Sequence, residues 1–263
     1  MIRIATFLAP NMYEVYDFIA GYIGEELGIQ TELVVGETFD QFASGEIAAG
    51  FICGLPYVNL ADQNPSQVSL LAAPVLSSER YEARPIYFSD VIVRRDSPFR
   101  AFEDLRGCSW SFNDPDSQSG YGITRYTLAK MGESRGFFGE VMRAGFHQES
   151  IQWVASGRVD ASAIDSQVLA VELRDHPELA GQIKVIDSLG PSSIQPFVAA
   201  SWLPEELKIG IRTALLEIGA DPDARSRLGK GFIERFAPVE DADYDDIRQM
   251  AAFVASSGMD AWD

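Results

Sequence analysis

The stretch Asn113-Asp114-Pro115-Asp116-Ser117-Gln118-Ser119-Gly120-Tyr121-Gly122 constrains this chain more than any other. Ser109-Trp110-Ser111-Phe112 before it reads as a short buried strand. After it, Ile123, Tyr126, Thr127 and Met131 recur at helical spacing and stop at Gly132. The polar stretch is therefore a tight strand-to-helix turn with two hydroxyls and a glycine at the helix start. A helix start offers unpaired backbone N–H groups and the positive end of the macrodipole, which together suit an anion. Small side chains let an oxyanion approach the backbone, and Ser117 and Ser119 each carry a further donor. The same serines also read as plain helix caps, the commoner use of that residue. Both readings stay open on the local sequence alone.

The neighbouring segments repeat the strand-then-helix order. Ile2 to Phe7 alternates and meets Pro10-Asn11, a helix-start signal, and Tyr13, Tyr16, Ile19, Ala20 and Ile23 form a helical stripe that stops before Gly28. Strands are predicted at Glu32 to Val35, Ala48 to Cys53, Val68 to Val75 and Tyr87 to Arg94, with a short helix from Phe39 to Ser44. Gly54-Leu55-Pro56-Tyr57 opens another helix, with proline in its first turn. A second run of the same kind starts near Ala101. It continues through the serine turn, a strand from Met142 to Phe146, a helix from Gln148 to Ser156, a strand from Val159 to Ile164 and another from Ile183 to Ile186. Pro191 to Ala200 reads as a return strand, and everything after Pro204 reads as helical. This order predicts an α/β chain of two lobes, each a mainly parallel sheet flanked by helices.

Ligands of such sheets bind beyond the carboxyl ends of the strands. Standing there are Pro10 and Asn11, Gly54 to Tyr57, Ser117 to Tyr121, His147, and Asp165-Ser166. Each has a purely structural alternative. His147 reads also as a cap or a half-buried ring, Asp165 as an N-cap, and Tyr57 and Tyr87 as core aromatics whose hydroxyls reach solvent. No Gly-x-Ser-x-Gly elbow accompanies the serines, and no enzymatic activity is expected.

The chain has 263 residues, enough for one large domain or two ordinary lobes, and 46% are hydrophobic. No window holds the roughly eighteen uninterrupted apolar residues of a membrane span. Met1 to Phe7 runs directly into the first strand rather than into a secretory signal, so the chain is expected to be cytoplasmic or a mature form whose leader was removed. A net charge of −18, from 39 acids against 21 bases, argues against nucleic acid and anionic membranes as partners. It also means that local dipoles must capture an anionic ligand against the global field. Cys53 and Cys108 and the two histidines show no zinc spacing, and no metal or cofactor is expected. The acidic run from Glu240 to Asp246 reads as a solvated helix start.

Asp114-Pro115-Asp116-Ser117-Gln118-Ser119-Gly120 resembles the serine-rich loop of the phosphate/phosphite/phosphonate-binding components of ABC transporters. Gly54-Leu55-Pro56-Tyr57-Val58 is similar to that family's glycine-proline-tyrosine turn, and the segment Tyr87 to Ser97 to its lobe-crossing strand. Ala144-Gly145-Phe146-His147 is similar to its histidine segment, and Gly157 to Asp165 to its "glycine, x, valine, aspartate, alanine" strand. The resemblance implies a type II periplasmic-binding-protein fold, with one lobe at residues 1–88 plus 197–263 and the other at 92–192. It implies two crossover segments acting as a hinge and a ligand cleft between the lobes. Carried over by position, Tyr57 and Tyr87 supply hydroxyls. Ser117, Gln118, Ser119 and Gly120 hold the oxyanion, His147 donates a further hydrogen bond, and Asp165 accepts from an ammonium or a protonated phosphoryl oxygen. Gln118 stands where many members carry a smaller hydroxyl residue. The implied protein is a monomeric, extracytoplasmic solute-binding protein that captures a small anionic ligand (phosphonate, phosphite or phosphate) for an ABC permease. The alternative is a sensor or binding protein of the same fold for a carboxylate or other organic ligand.

Overall fold

The structure, a computed structural model, describes residues 1–63, 65–133 and 136–259. The chain begins β1 (Ile2–Thr6), α1 (Tyr13–Leu27), β2 (Thr31–Val35), α2 (Asp40–Ala43), β3 (Ala49–Phe51), α3 (Gly54–Ala61) and β4 (Val68–Leu76). It continues β5 (Ile86–Arg94), β6 (Ser109–Phe112), α4 (Ile123–Lys130), β7 (Glu140–Arg143), α5 (His147–Ser156), β8 (Ala161–Asp165), α6 (Ser166–Asp175), α7 (Leu179–Gln182) and β9 (Ile183–Ser193). It ends β10 (Phe197–Ala200), α8 (Glu205–Glu217), α9 (Pro222–Gly229), β11 (Ile233–Ala237) and α10 (Asp245–Ser256). One compact unit comprises Met1–Ile86 and Ser193–Asp245, and the other Tyr87–Ser192 and Asp246–Asp263. Residues 246–259, expected with the first lobe, thus fall in the second unit. The reason is packing: Val254 and Met259 join the buried cluster built around Trp110, Val91 and Leu128.

The first unit holds a sheet in the order β11-β4-β10-β3-β1-β2. β1 pairs in parallel with β2 and β3, whereas β10 runs antiparallel to both β3 and β4, and β11 antiparallel to β4. The expected mainly parallel pairing is therefore corrected to a mixed sheet. β10 returns from the far part of the chain and inserts between two strands that share one direction. The strand β11 falls within the segment read as helical. Its apolar residues Ile233 and Phe236 are three apart, and the register against β4 shifts between Ile233 and Arg235, so the period of two is broken in the sequence.

The second unit holds a sheet in the order β7-β6-β8-β5-β9. β6 pairs in parallel with β7 and with β8, and β5 runs antiparallel to β8. One face carries Trp110, Val91, Val93, Ala161 and Ala163, packed with Phe102, Phe137 and Phe138. The Trp110 and Phe138 rings stack at 4.5 Å. The other face carries Ile92 and Ile164 under Ile151 and Val154 of α5. Burial of an aliphatic or phenyl side chain of this size contributes about 2 kcal/mol, so both faces anchor the strand ends firmly. The consequence for function is positional. β6, β7 and β8 run the same way, so Ser117, His147 and Asp165 all follow carboxyl ends at one edge of one sheet.

Candidate ligand-binding site

After Phe112 the chain bends through Asn113 to Asp116. The Asp114 carbonyl accepts from Ser117 N–H at 3.0 Å, and the Asp114 carboxylate accepts from Asp116 N–H at 2.9 Å. That carboxylate also pairs with Arg143. Burial, then the neighbouring Asp114 charge, push the Asp116 carboxyl above its ordinary range. Arg143 is thus committed to Asp114.

Ser117 is extended (φ −84, ψ 122) and caps the next turn, its Oγ accepting from Gly120 N–H at 3.1 Å. The turn Gln118–Gly122 is π-helical: Gly122 N–H reaches back to the Ser117 carbonyl at 2.9 Å, and Ile123 N–H to that of Gln118. Short π segments are rare and concentrate at functional sites. A Cβ on Gly120 would stand 1.9 Å from Asn113 Oδ1, so any larger residue there displaces the Asn113 amide. Gln118, buried, directs its amide to Ser192 Oγ and Met250 Sδ.

His147 is brought to the turn by its backbone. Ala144 N–H donates to the Phe112 carbonyl at 2.8 Å and Gly145 N–H to that of Asn113 at 2.9 Å, which extends the β6–β7 pairing past the strand ends. His147 is the first residue of α5, and its Nε2 lies 2.9 Å from Ser119 Oγ. Ser119 Oγ in turn lies 3.2 Å from Ser117 Oγ. All three side chains are buried. Burial lowers the imidazole pKa to about 3, so the ring is neutral near pH 7 and the chain of hydroxyls carries no net charge.

Asp165 ends β8 and caps α6, Oδ1 accepting from Gln167 N–H at 2.8 Å and Val168 N–H at 3.2 Å. The capping alternative for Ser117 and Asp165 is thus what the hydrogen bonds display. Tyr87, also buried, lies at the start of β5, two residues before Ser89, the register partner of Asp165. Tyr87, Ser117 to Gly120, His147 and Asp165 therefore all belong to the second unit. Tyr57 belongs to the first unit, where its hydroxyl donates to Asp241 at 2.7 Å and its ring packs edge-on to Tyr244 at 4.6 Å. Asp241 comes from the acidic run read as a solvated helix start, and no acid, histidine or cysteine cluster suited to a metal occurs among the described residues. Sequence reading missed Ser192 and Met250 as supports of the turn, because their contacts depend on tertiary placement that no local pattern records.

Residues 3–244 match the family described as "ABC transporter, phosphonate, periplasmic substrate-binding protein". The chain belongs to this family. A phosphonates-binding periplasmic protein of Escherichia coli (strain K12) is 27% identical over 183 residues, which is 68% of this chain and 54% of that protein. The match therefore spans about half the length of that curated relative. Two solved structures show the same fold. A binding protein component of an ABC phosphonate transporter from Pseudomonas aeruginosa has a TM-score of 0.86 at 19% identity, covering 97% of this chain and 87% of its own. A protein from Prochlorococcus marinus (MIT 9301), solved with methylphosphonate, has a TM-score of 0.85 at 16% identity, covering 97% and 98%. The fold is that of the type II periplasmic-binding proteins. Among the described residues no helix is long and apolar enough to cross a membrane.

Proposed function

We propose that this chain is a solute-binding protein that captures a small phosphorus oxyanion and delivers it, chemically unchanged, to the permease of an ABC importer. It works outside the cytoplasm and as a monomer. Phosphonate is the leading ligand class, with phosphite and phosphate next. The family match and the methylphosphonate complex of the Prochlorococcus marinus protein support this reading.

The observation that carries it is the neutral pair Ser119–His147 at the head of a π-helical turn. An anion in a chain of net charge −18 gains little from the global field. It needs fixed donors close at hand. Ser117 and Ser119 offer hydroxyls, the turn offers the Ser119 N–H, and the helix that follows offers its dipole. His147 acts through Ser119: when Nε2–H donates to Ser119 Oγ, the serine proton is left for the ligand oxygen. Tyr87 precedes Phe88, whose N–H donates to Ser166 Oγ at 3.2 Å, and Asp165 accepts from an ammonium or from a protonated phosphoryl oxygen. An acceptor in the site disfavours sulfate, which carries no proton near pH 7.

The test is a calorimetric and thermal-shift panel on ligand-stripped protein with methylphosphonate, 2-aminoethylphosphonate, phosphite, phosphate and sulfate. A ligand that binds only the folded state raises the Tm. A rise with one phosphorus compound and none with sulfate is expected. A rise only with carboxylates would replace this reading with that of a sensor or carrier for organic acids.

A further inference from the structure

The family match ends at residue 244, yet the residues beyond it pack against the turn just described. α10 places Ile247, Met250 and Val254 on one face at helical spacing, and Met250 and Val254 lie against the cluster around Trp110 and Leu128. The Phe253 ring meets Tyr126 of α4 edge-on at 5.6 Å, and Arg125 of α4 donates to the Met259 carbonyl at 2.8 Å. The C-terminal segment is thus fastened to the helix that the π-helical turn leads into.

It also reaches the turn itself. Gln118 Nε2 lies 3.3 Å from Met250 Sδ and 3.4 Å from Ser192 Oγ, and those two acceptors are 4.0 Å apart. The Gln118 side chain gets there by crossing Gly122, where a Cβ would stand 2.5 Å from Gln118 Oε1. A π-helical turn is less favourable than an α-helical one, so outside contacts must hold it. The first residue of this turn is held by such contacts.

We infer that Gln118 is a positioning residue: Met250 and Ser192 hold its amide, and through it α10 fixes the π-helical form of the turn and the direction of the Ser119 hydroxyl. The consequence for ligand affinity rests on the proposed function, whereas the conformational claim does not. The glutamine therefore serves the ligand from behind the turn, and its amide faces the C-terminal helix.

Hydrogen exchange on the full ligand-free chain tests this. Met250→Leu keeps the apolar bulk and removes the sulfur acceptor, and Met250→Gln supplies an oxygen in its place. Exchange of the amides in residues 117–123 is expected to quicken roughly three- to tenfold in Met250→Leu, the range of one modest hydrogen bond. Exchange in α1 and α5 stays unchanged, and Met250→Gln returns the turn toward the wild-type rate. Unchanged exchange in the turn, or an equal rise in α1, overturns the inference. Titration with methylphosphonate forms the second arm, in which Met250→Leu weakens binding by a similar factor. A wild-type protein that fails to bind methylphosphonate would count against the functional reading, while the exchange rates would still decide the clasp.

Discussion

Ser119 Oγ and His147 Nε2 lie 2.9 Å apart, and burial holds that imidazole neutral, with its pKa lowered to about 3. A neutral ring has one donor and one acceptor, so the proton direction along Ser117, Ser119 and His147 can follow the ligand. A charged ring would have bound any anion strongly and with little discrimination.

The first prediction concerns stability and pH. His147 has a folded-state pKa well below its unfolded value of about 6.5, so below that value the unfolded chain takes up a proton that the folded chain refuses. Its contribution is present above pH 6.5 and is lost as pH falls toward 3. Between pH 7 and pH 5 the loss amounts to about 2 kcal/mol. Urea unfolding at the two pH values should show this difference in the wild type and lack it in His147→Gln. An equal acid loss in both proteins would place the titration elsewhere.

Ser117 and Ser119 are separable. Ser117→Ala removes a cap and should lower stability by about 1 kcal/mol, read as a shift in the urea midpoint. Ser119→Ala takes the partner from the buried His147 Nε2 and should also lower stability by about 1 kcal/mol, but beyond that it should weaken methylphosphonate binding about tenfold or more, the range of a hydrogen bond to a charged group. If Ser119→Ala lowers stability without weakening binding, the Ser119–His147 pair is structural.

Gly120→Ala should disable the turn. The new methyl would meet Asn113 Oδ1 at 1.9 Å, with Asn113 N at 3.3 Å behind it. Overpacking of this kind costs about 1–3 kcal/mol. Asn113→Ala removes the obstructing oxygen, so the double variant should recover most of the stability lost by Gly120→Ala alone. Additive losses in the double variant would show that the clash lies with the backbone.

Much of this architecture could be read from the order of residues, and the exceptions have specific causes. The turn from Asn113 to Gly122 and the helix after it were legible because the glycines, the serines and the period of Ile123, Tyr126 and Thr127 all agree. β11 was not, because a register shift beside Ile233 removes the alternation that marks a strand. The placement of α10 was not, because a stripe of Ile247, Met250 and Val254 states that one face is buried without stating against what. Ser119 and His147 were each legible as candidates. Their contact was not, since it arises from β6–β7 pairing carried past the strand ends by Ala144 and Gly145.

The last prediction divides the two roles of Asp165. Its Oδ1 accepts from Gln167 and Val168 N–H groups, a task that asparagine performs about as well. Asp165→Asn should therefore keep the Tm of the ligand-free protein within a degree or two, whereas Asp165→Ala should lose about 1 kcal/mol. Asparagine keeps a carbonyl acceptor but not the negative charge. Affinity for 2-aminoethylphosphonate should then fall further in Asp165→Asn than affinity for phosphite, which carries no ammonium. Calorimetry of the two ligands against wild type and Asp165→Asn reads the difference directly. Equal losses for both would mean that the carboxylate acts only on the helix it caps, and that the ammonium of any such ligand is recognised elsewhere.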